Sequence, residues 1–174
     1  MNHRTISREQ ALKLIENSSK RSHAILVSKI MRIIAKRLGK NEDEWELVGL
    51  LHDLDYGTVR NDMSRHGIVA AESLKGKLSK SALYAIKAHD HRAGFKSKSI
   101  LDKSLIAVDA LVAFIEDSRI KKIPMDIKIL KSRINNESLP KPWLKELILT
   151  CEDLCVSLEE FFKLGLGQSE LVSN

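Results

Sequence analysis

The sequence predicts an all-α single domain of about eight or nine helices, and three observations carry that expectation. Apolar residues recur at helical spacing almost throughout, with no convincing alternating strand. Capping signals open many of the apolar stretches, and glycine or proline follows several of them. At 174 residues the chain should bury about 70% of its unfolded surface, enough for one core without disulfide staples. Aromatics make up only 5% of it, so aliphatic side chains must fill that core.

The first helix, Ser7 to about Asn17, opens on Ser7-x-x-Gln10, a capping box in which each side chain satisfies the other residue's backbone N–H. The second runs from about Ser22 to Leu38 and stops at Gly39, with Val27, Ile30, Ile34 and Leu38 on one face. The third starts at Asn41, with Glu44 three residues on, and passes through Trp45, Val48 and Leu51 into His52-Asp53. Asp55-Tyr56-Gly57 then breaks it. Val59 to Met63 reads as loop. Ser64 starts a helix to about Lys75, and Ser79 starts another to about His89. After the loop Gly94 to Lys98 comes a long apolar helix, Ser99 to about Asp117. Beyond Pro124, shorter helices are expected near Met125–Ile134, Pro142–Leu154 and Ser157–Leu164, the last with a Ser157-x-x-Glu160 box. The final ten residues are expected to fray.

Several classes drop out. No apolar run approaches the ~18 residues of a membrane span, and the polar N-terminus carries no secretory signal. Cys151 and Cys155 are too few for a disulfide framework or a four-thiolate zinc site. Their i,i+4 spacing suits two reduced thiols on the packing face of a C-terminal helix, so a cytoplasmic setting is expected. The net charge of +6 fits a solvated surface or an anionic small molecule. No nucleic-acid module accompanies it, and the basic stretch from Arg119 to Arg133 reads as a solvated helix face. Leu158, Phe161, Phe162 and Leu164 are expected to dock the C-terminal end on the core, with a homodimer surface as the alternative.

Polar residues on apolar helix faces are the useful anomaly. His23 shares a face with Val27, Ile30 and Ile34; His52-Asp53 ends the run Val48-Gly49-Leu50-Leu51; Asp109 lies among Leu105, Ile106, Val112 and Ala113. An isolated buried carboxylate is costly, so such a residue is normally paired or ligates a metal. Each group could be a separately hydrogen-bonded core polar. A shared cation would satisfy all four together.

In this order the residues resemble the ligand set of the HD-domain phosphohydrolase superfamily, of the HDIG type. The resemblance covers roughly Lys20 to Asp117, leaving residues 118–168 as a C-terminal helical extension. It implies that His23, His52, Asp53 and Asp109 hold a divalent metal. His66, in Ser64-Arg65-His66-Gly67-Ile68, and His89, closing Ala85-Ile86-Lys87-Ala88-His89, extend the likeness to members with two ions, Asp53 bridging. Mixed imidazole and carboxylate donors suit iron, manganese, cobalt, nickel, zinc or magnesium. The implied reaction is hydrolysis of a phosphomonoester, phosphodiester or pyrophosphate bond of a small substrate, a nucleotide by preference. Metal-bound hydroxide would attack, with His52 and Asp53 as the catalytic pair.

Lys87, His91 and Arg92 are the candidate substrate contacts, and Arg60, Arg65 and Lys96 also flank the proposed ligands. Asp55 serves either to orient a ligand or to form the turn. His3 reads as a tail residue. The stretches Ala85–His89 and Leu105–Asp109 are similar to the diadenosine tetraphosphate hydrolase branch. Leu54-Asp55-Tyr56 stands where the HDIG form has Ile-Gly-Lys, so that lysine's role does not carry over. The absence of a Gly-Tyr-Pro signature, with His89-Asp90-His91 in place of a double histidine, argues against the cyclic-dinucleotide esterase branch. A di-iron oxygenase and a non-catalytic nucleotide-binding protein stay open beside hydrolysis.

Overall fold

The computed structural model describes residues 5–135 and 143–170; His3 and Pro142 lie outside them. Among the described residues there are nine α-helices, three 3-10 turns and no strand. In chain order α1 is Arg8–Leu14, α2 Arg21–Arg37, α3 Glu42–Leu51, α4 Ile68–Ser73, α5 Lys80–Ala88, α6 Ile100–Ile120, α7 Ile127–Asn135, α8 Trp143–Leu149 and α9 Leu158–Glu170. The N-terminal signals act as expected. Ser7 and Gln10 form a reciprocal capping box, Asn41 accepts from the Glu44 N–H, and Ser157 and Glu160 bond each other's backbone N–H.

The core forms where the apolar faces of α2, α3 and α6 meet. Val27, Ile30 and Ile34 of α2, Val48 and Leu51 of α3, and Leu105, Val108, Leu111 and Ile115 of α6 are all inaccessible to solvent. The two helices α2 and α3 approach closely at Gly49, where an added Cβ would lie 2.8 Å from the Cα of Ser28. The absent side chain lets α3 cross α2 almost backbone to backbone, which brings His52 at the end of α3 beside His23 at the start of α2. Phe161 and Phe162 of α9 are fully buried, with Phe162 packed on Phe114, so the C-terminal end docks on the core as expected.

Three expectations are corrected. The helix expected from Ser64 to Lys75 is split into a 3-10 turn at Met63–Arg65, an extended His66, and α4 from Ile68. The cause is Gly67, at φ +76, where a Cβ would stand 2.4 Å from the carbonyl oxygen of Ile86 in α5. The helix expected over Pro142–Leu154 gives way after Leu149 to a 3-10 turn, Thr150–Leu154, which ends on Cys155 at φ 56. That turn takes the two cysteines off a common face, leaving Cys151 buried and Cys155 exposed. Finally, of the ten residues expected to fray, 165–170 continue α9, while 171–174 lie outside the described residues. Gly165 in it rests against Ile115 and Leu111, where a Cβ would come within 2.5 Å of the Ile115 side chain.

Candidate metal centre

Four histidines, from α2, the ends of α3 and α5 and the turn before α4, converge on one carboxylate. Asp53 follows directly on the end of α3 and is 7% exposed. Its Oδ1 lies 3.0 Å from His66 Nε2, 3.6 Å from His52 Nε2 and 3.6 Å from His89 Nε2; its Oδ2 lies 4.0 Å from His23 Nε2. Asp109, from the middle of α6, approaches from the other side, with Oδ1 2.8 Å from His23 Nε2 and 3.7 Å from His52 Nε2. The structure thus gathers all six sequence-predicted ligands into one cluster.

Hydrogen bonds on the far side of each ring fix which nitrogen faces inward. His52 Nδ1 donates to the Gly49 carbonyl at 2.7 Å, and His89 Nδ1 donates to the Ile86 carbonyl at 2.7 Å. A carbonyl can only accept, so these Nδ1 atoms carry the protons, and in the neutral rings both Nε2 atoms present lone pairs. His66 Nδ1 is 2.8 Å from Asp55 Oδ1, and His23 Nδ1 is 3.0 Å from Glu116 Oε2. Asp55 is itself buried and fixed by the Ala70 N–H, which donates to Oδ2 at 2.8 Å. Of the two roles open to Asp55, the structure shows its side chain holding His66 while its carbonyl accepts from the Thr58 N–H in the turn.

The centre is therefore crowded with acceptors. Four imidazole nitrogens and two carboxylates face one another, and His52 Nε2 has no hydrogen-bond partner although it is buried. An orphaned lone pair between two carboxylate oxygens is unfavourable in a low-dielectric interior, and a cation removes the conflict. Among the described residues two groups have donors close enough to share one: His23, His52 and Asp109, and His52, Asp53 and His89. The residues present fit a divalent metal by donor type, by tautomer and by the unpartnered nitrogen.

With protons in place of a metal, the same crowding governs the charges. Burial pulls His23 down, but Asp109 and Glu116 outweigh it and push its pKa up to about 10. Burial opposes the rise at His66 too, where Asp53 and Asp55 lift the value to about 9. His89 is raised against its burial by Asp53. Burial acts to raise Asp53 and Asp109, yet neighbouring imidazoles hold both well below the usual carboxylate range.

The substrate-contact candidates separate. His91 (74% exposed) and Arg92 line a cavity of about 610 Å³ that opens onto His89 and Asp109. Arg92 is braced by Asp90, its Nε donating to Oδ1 at 2.9 Å. Lys87 is not on that wall; its ammonium stands 5.8 Å from the Phe95 ring centroid. Arg60 donates to Ser19 at 3.1 Å and lies 5.8 Å from the Tyr56 ring centroid, Arg65 is exposed, and Lys96 is exposed with its carbonyl accepting from Tyr84.

Sequence reasoning missed Glu116, Tyr56 and Lys20. Glu116 lies seven residues after Asp109, two helical turns along the same face, and that spacing was the available signal. Tyr56 meets the edge of His66 at 5.6 Å and carries the Lys20 ammonium 4.6 Å from its ring centroid.

An all-α scaffold that buries four imidazoles around two carboxylates has the donor chemistry of a divalent-cation site. The chain belongs to the HD domain family, whose sequence pattern matches residues 21–118, and that family consists in general of metal-dependent phosphohydrolases. No curated protein and no solved structure matches the chain. Among the described residues no helix is long and apolar enough to cross a membrane.

Proposed function

We propose that this protein is a metal-dependent phosphohydrolase acting on a small phosphorylated substrate of nucleotide type, with His23, His52, Asp53, His66, His89 and Asp109 as its metal ligands. The observation that carries the reading is the orphaned His52 Nε2, set between carboxylates from α6 and from the end of α3. A divalent cation bound there would supply Lewis acidity, lowering the pKa of water and neutralising charge on phosphoryl oxygens. Asp53 touches donors from both sides of the cluster and is the residue suited to bridge two ions.

The chain's own residues do the rest. Glu116 and Asp55 hold the rings of His23 and His66, so their inward nitrogens keep one direction. The Gly49 and Ile86 carbonyls do the same for His52 and His89. Arg92, braced on Asp90, presents a guanidinium beside the opening and is suited to grip phosphoryl oxygens. Lys20 and Arg60, gathered at Tyr56, add positive charge next to His66. The unpaired thiols of Cys151 and Cys155 support a cytoplasmic setting.

The test is elemental analysis of purified protein, followed by phosphate release from a panel of phosphoesters with several divalent ions. Asp53→Ala is expected to lose both bound metal and turnover. Full occupancy and turnover in that variant would overturn the assignment. Substrate-dependent oxygen uptake without phosphate release would place the chain with the oxygenases instead.

A further inference from the structure

The cavity beside the cluster has a wall from outside the family match. On one side stand His89 to Arg92 and Phe95; along another lies the α6 row Ile106, Ala110 and Ala113, with Asp109 between them. Leu144, Leu147 and Glu146 of α8 close the third. At about 610 Å³ the space is far larger than a phosphate ion needs and falls in the range of small-molecule pockets, ~300–1,000 Å³. Its polar end is the candidate metal centre, because Asp109 and His89 belong to both. Away from that end the wall is largely apolar, with Ser97 and Glu146 as its polar members. Phe95 is held edge-on to Tyr84 at 6.0 Å, and Tyr84 in turn donates to the Lys96 carbonyl at 2.9 Å, so this aromatic face is braced.

The chemistry of that wall specifies a ligand. Phe95, with Ile106, Leu144 and Leu147, offers apolar contact to a flat ring, and Ala110 and Ala113 leave width for it. Glu146, exposed on α8, adds a carboxylate that accepts hydrogen bonds and repels a second phosphate. We propose that this cavity receives the organic group of the phosphorylated substrate, a planar ring bearing an N–H donor, and that Leu144, Leu147 and Glu146 select it. This rests on the phosphohydrolase reading of the adjoining centre and assigns specificity to α8, beyond residue 118 where the family match ends.

Non-hydrolysable probes test the subsite apart from turnover. Methylphosphonate, phenylphosphonate and (4-aminophenyl)phosphonate are titrated calorimetrically into the metal-loaded full chain. The wild type is expected to bind phenylphosphonate roughly tenfold or more tighter than methylphosphonate, the ratio that about 1.4 kcal/mol gives. Leu147→Trp should erase that preference while leaving methylphosphonate binding and metal content unchanged. The surface variant Glu146→Ala, chosen because it does not disturb the core, should erase the further preference for the amino compound. Equal binding of phenylphosphonate and methylphosphonate by the wild type, or an undiminished ring preference in Leu147→Trp, would overturn the proposal. Ring-selective binding without phosphate release from any phosphoester would keep the subsite and remove the hydrolase reading. Release from ring-bearing and alkyl phosphomonoesters alike, with no ring preference in binding, would do the reverse.

Discussion

His66 shows how much one side chain can be asked to do. Its Nδ1 is committed to Asp55 and its Nε2 reaches Asp53 at 3.0 Å and His89 Nε2 at 3.1 Å, so it joins the Asp53 carboxylate to a second imidazole. If the centre holds two ions, His66→Ala or His89→Ala should lower the stoichiometry from two towards one, read by elemental analysis of the loaded protein. A native stoichiometry of one would remove the binuclear arrangement. The residues most legible in the sequence were those whose polarity clashed with a regular apolar face. His23 and Asp109 stood out in this way, and the adjacent His52-Asp53 pair ended an apolar helix. His66 and His89 were recognised through family resemblance, since neither breaks an apolar pattern as plainly. Glu116 escaped notice because a glutamate late in a helix reads as a solvent-facing group, and its bond to His23 spans 93 residues.

At the scale of elements, the break before α4 turns His66 into the site. Ser64 followed by an apolar run imitates a continuous helix, and the reason it fails lies elsewhere in the chain, in the Ile86 carbonyl against Gly67. Local propensity carries no information about that contact. Gly67→Ala is expected to destabilise the fold by about 2 kcal/mol or more, from the left-handed backbone alone plus the clash. It should also cost metal at the His66 side, and thermal unfolding with metal analysis would check both effects. Gly49→Ala would instead push α3 off α2 and shift His52 and Asp53 with it, so its metal loss should extend across the centre rather than stay at the His66 side. The α8 wall of the cavity was likewise unreadable, because it meets α6 across more than thirty residues and through side chains of ordinary apolar character.

At the scale of the whole molecule, the fold class and the order of elements followed from periodicity, since one aliphatic core organises all the helices. Titration of the cluster couples that core to pH. In metal-free protein the pKa values of His23 and His66 are raised from 6.5 to about 10 and about 9, so the folded chain holds protons that the unfolded chain releases. Their stabilising contribution is complete below about pH 6.5 and is lost as pH rises through 9 and 10. Asp53 and Asp109 are shifted down, so theirs is present above about pH 4 and lost on acidification. Thermal unfolding of the metal-free protein should thus place maximal stability between about pH 4 and 6.5. Metal binding needs neutral imidazoles, so it should displace protons and strengthen towards alkaline pH. Calorimetric titration in buffers of different ionisation enthalpy would detect the released protons; no proton release near neutral pH would contradict this account.

The two carbonyl-bonded histidines have one more consequence. His52 and His89 are the C-cap residues of α3 and α5, so two helices end at the same point in the interior. Aligned peptide dipoles leave each such end partially negative, with a favourable effect on a nearby cation of roughly 0.3–1 kcal/mol or more when partly buried. The backbone itself therefore sets a negative potential at the centre, independent of any side chain's ionisation. Each ring also donates to a last-turn carbonyl, so replacing either histidine removes that hydrogen bond from a helix end as well as an inward-facing nitrogen from the centre.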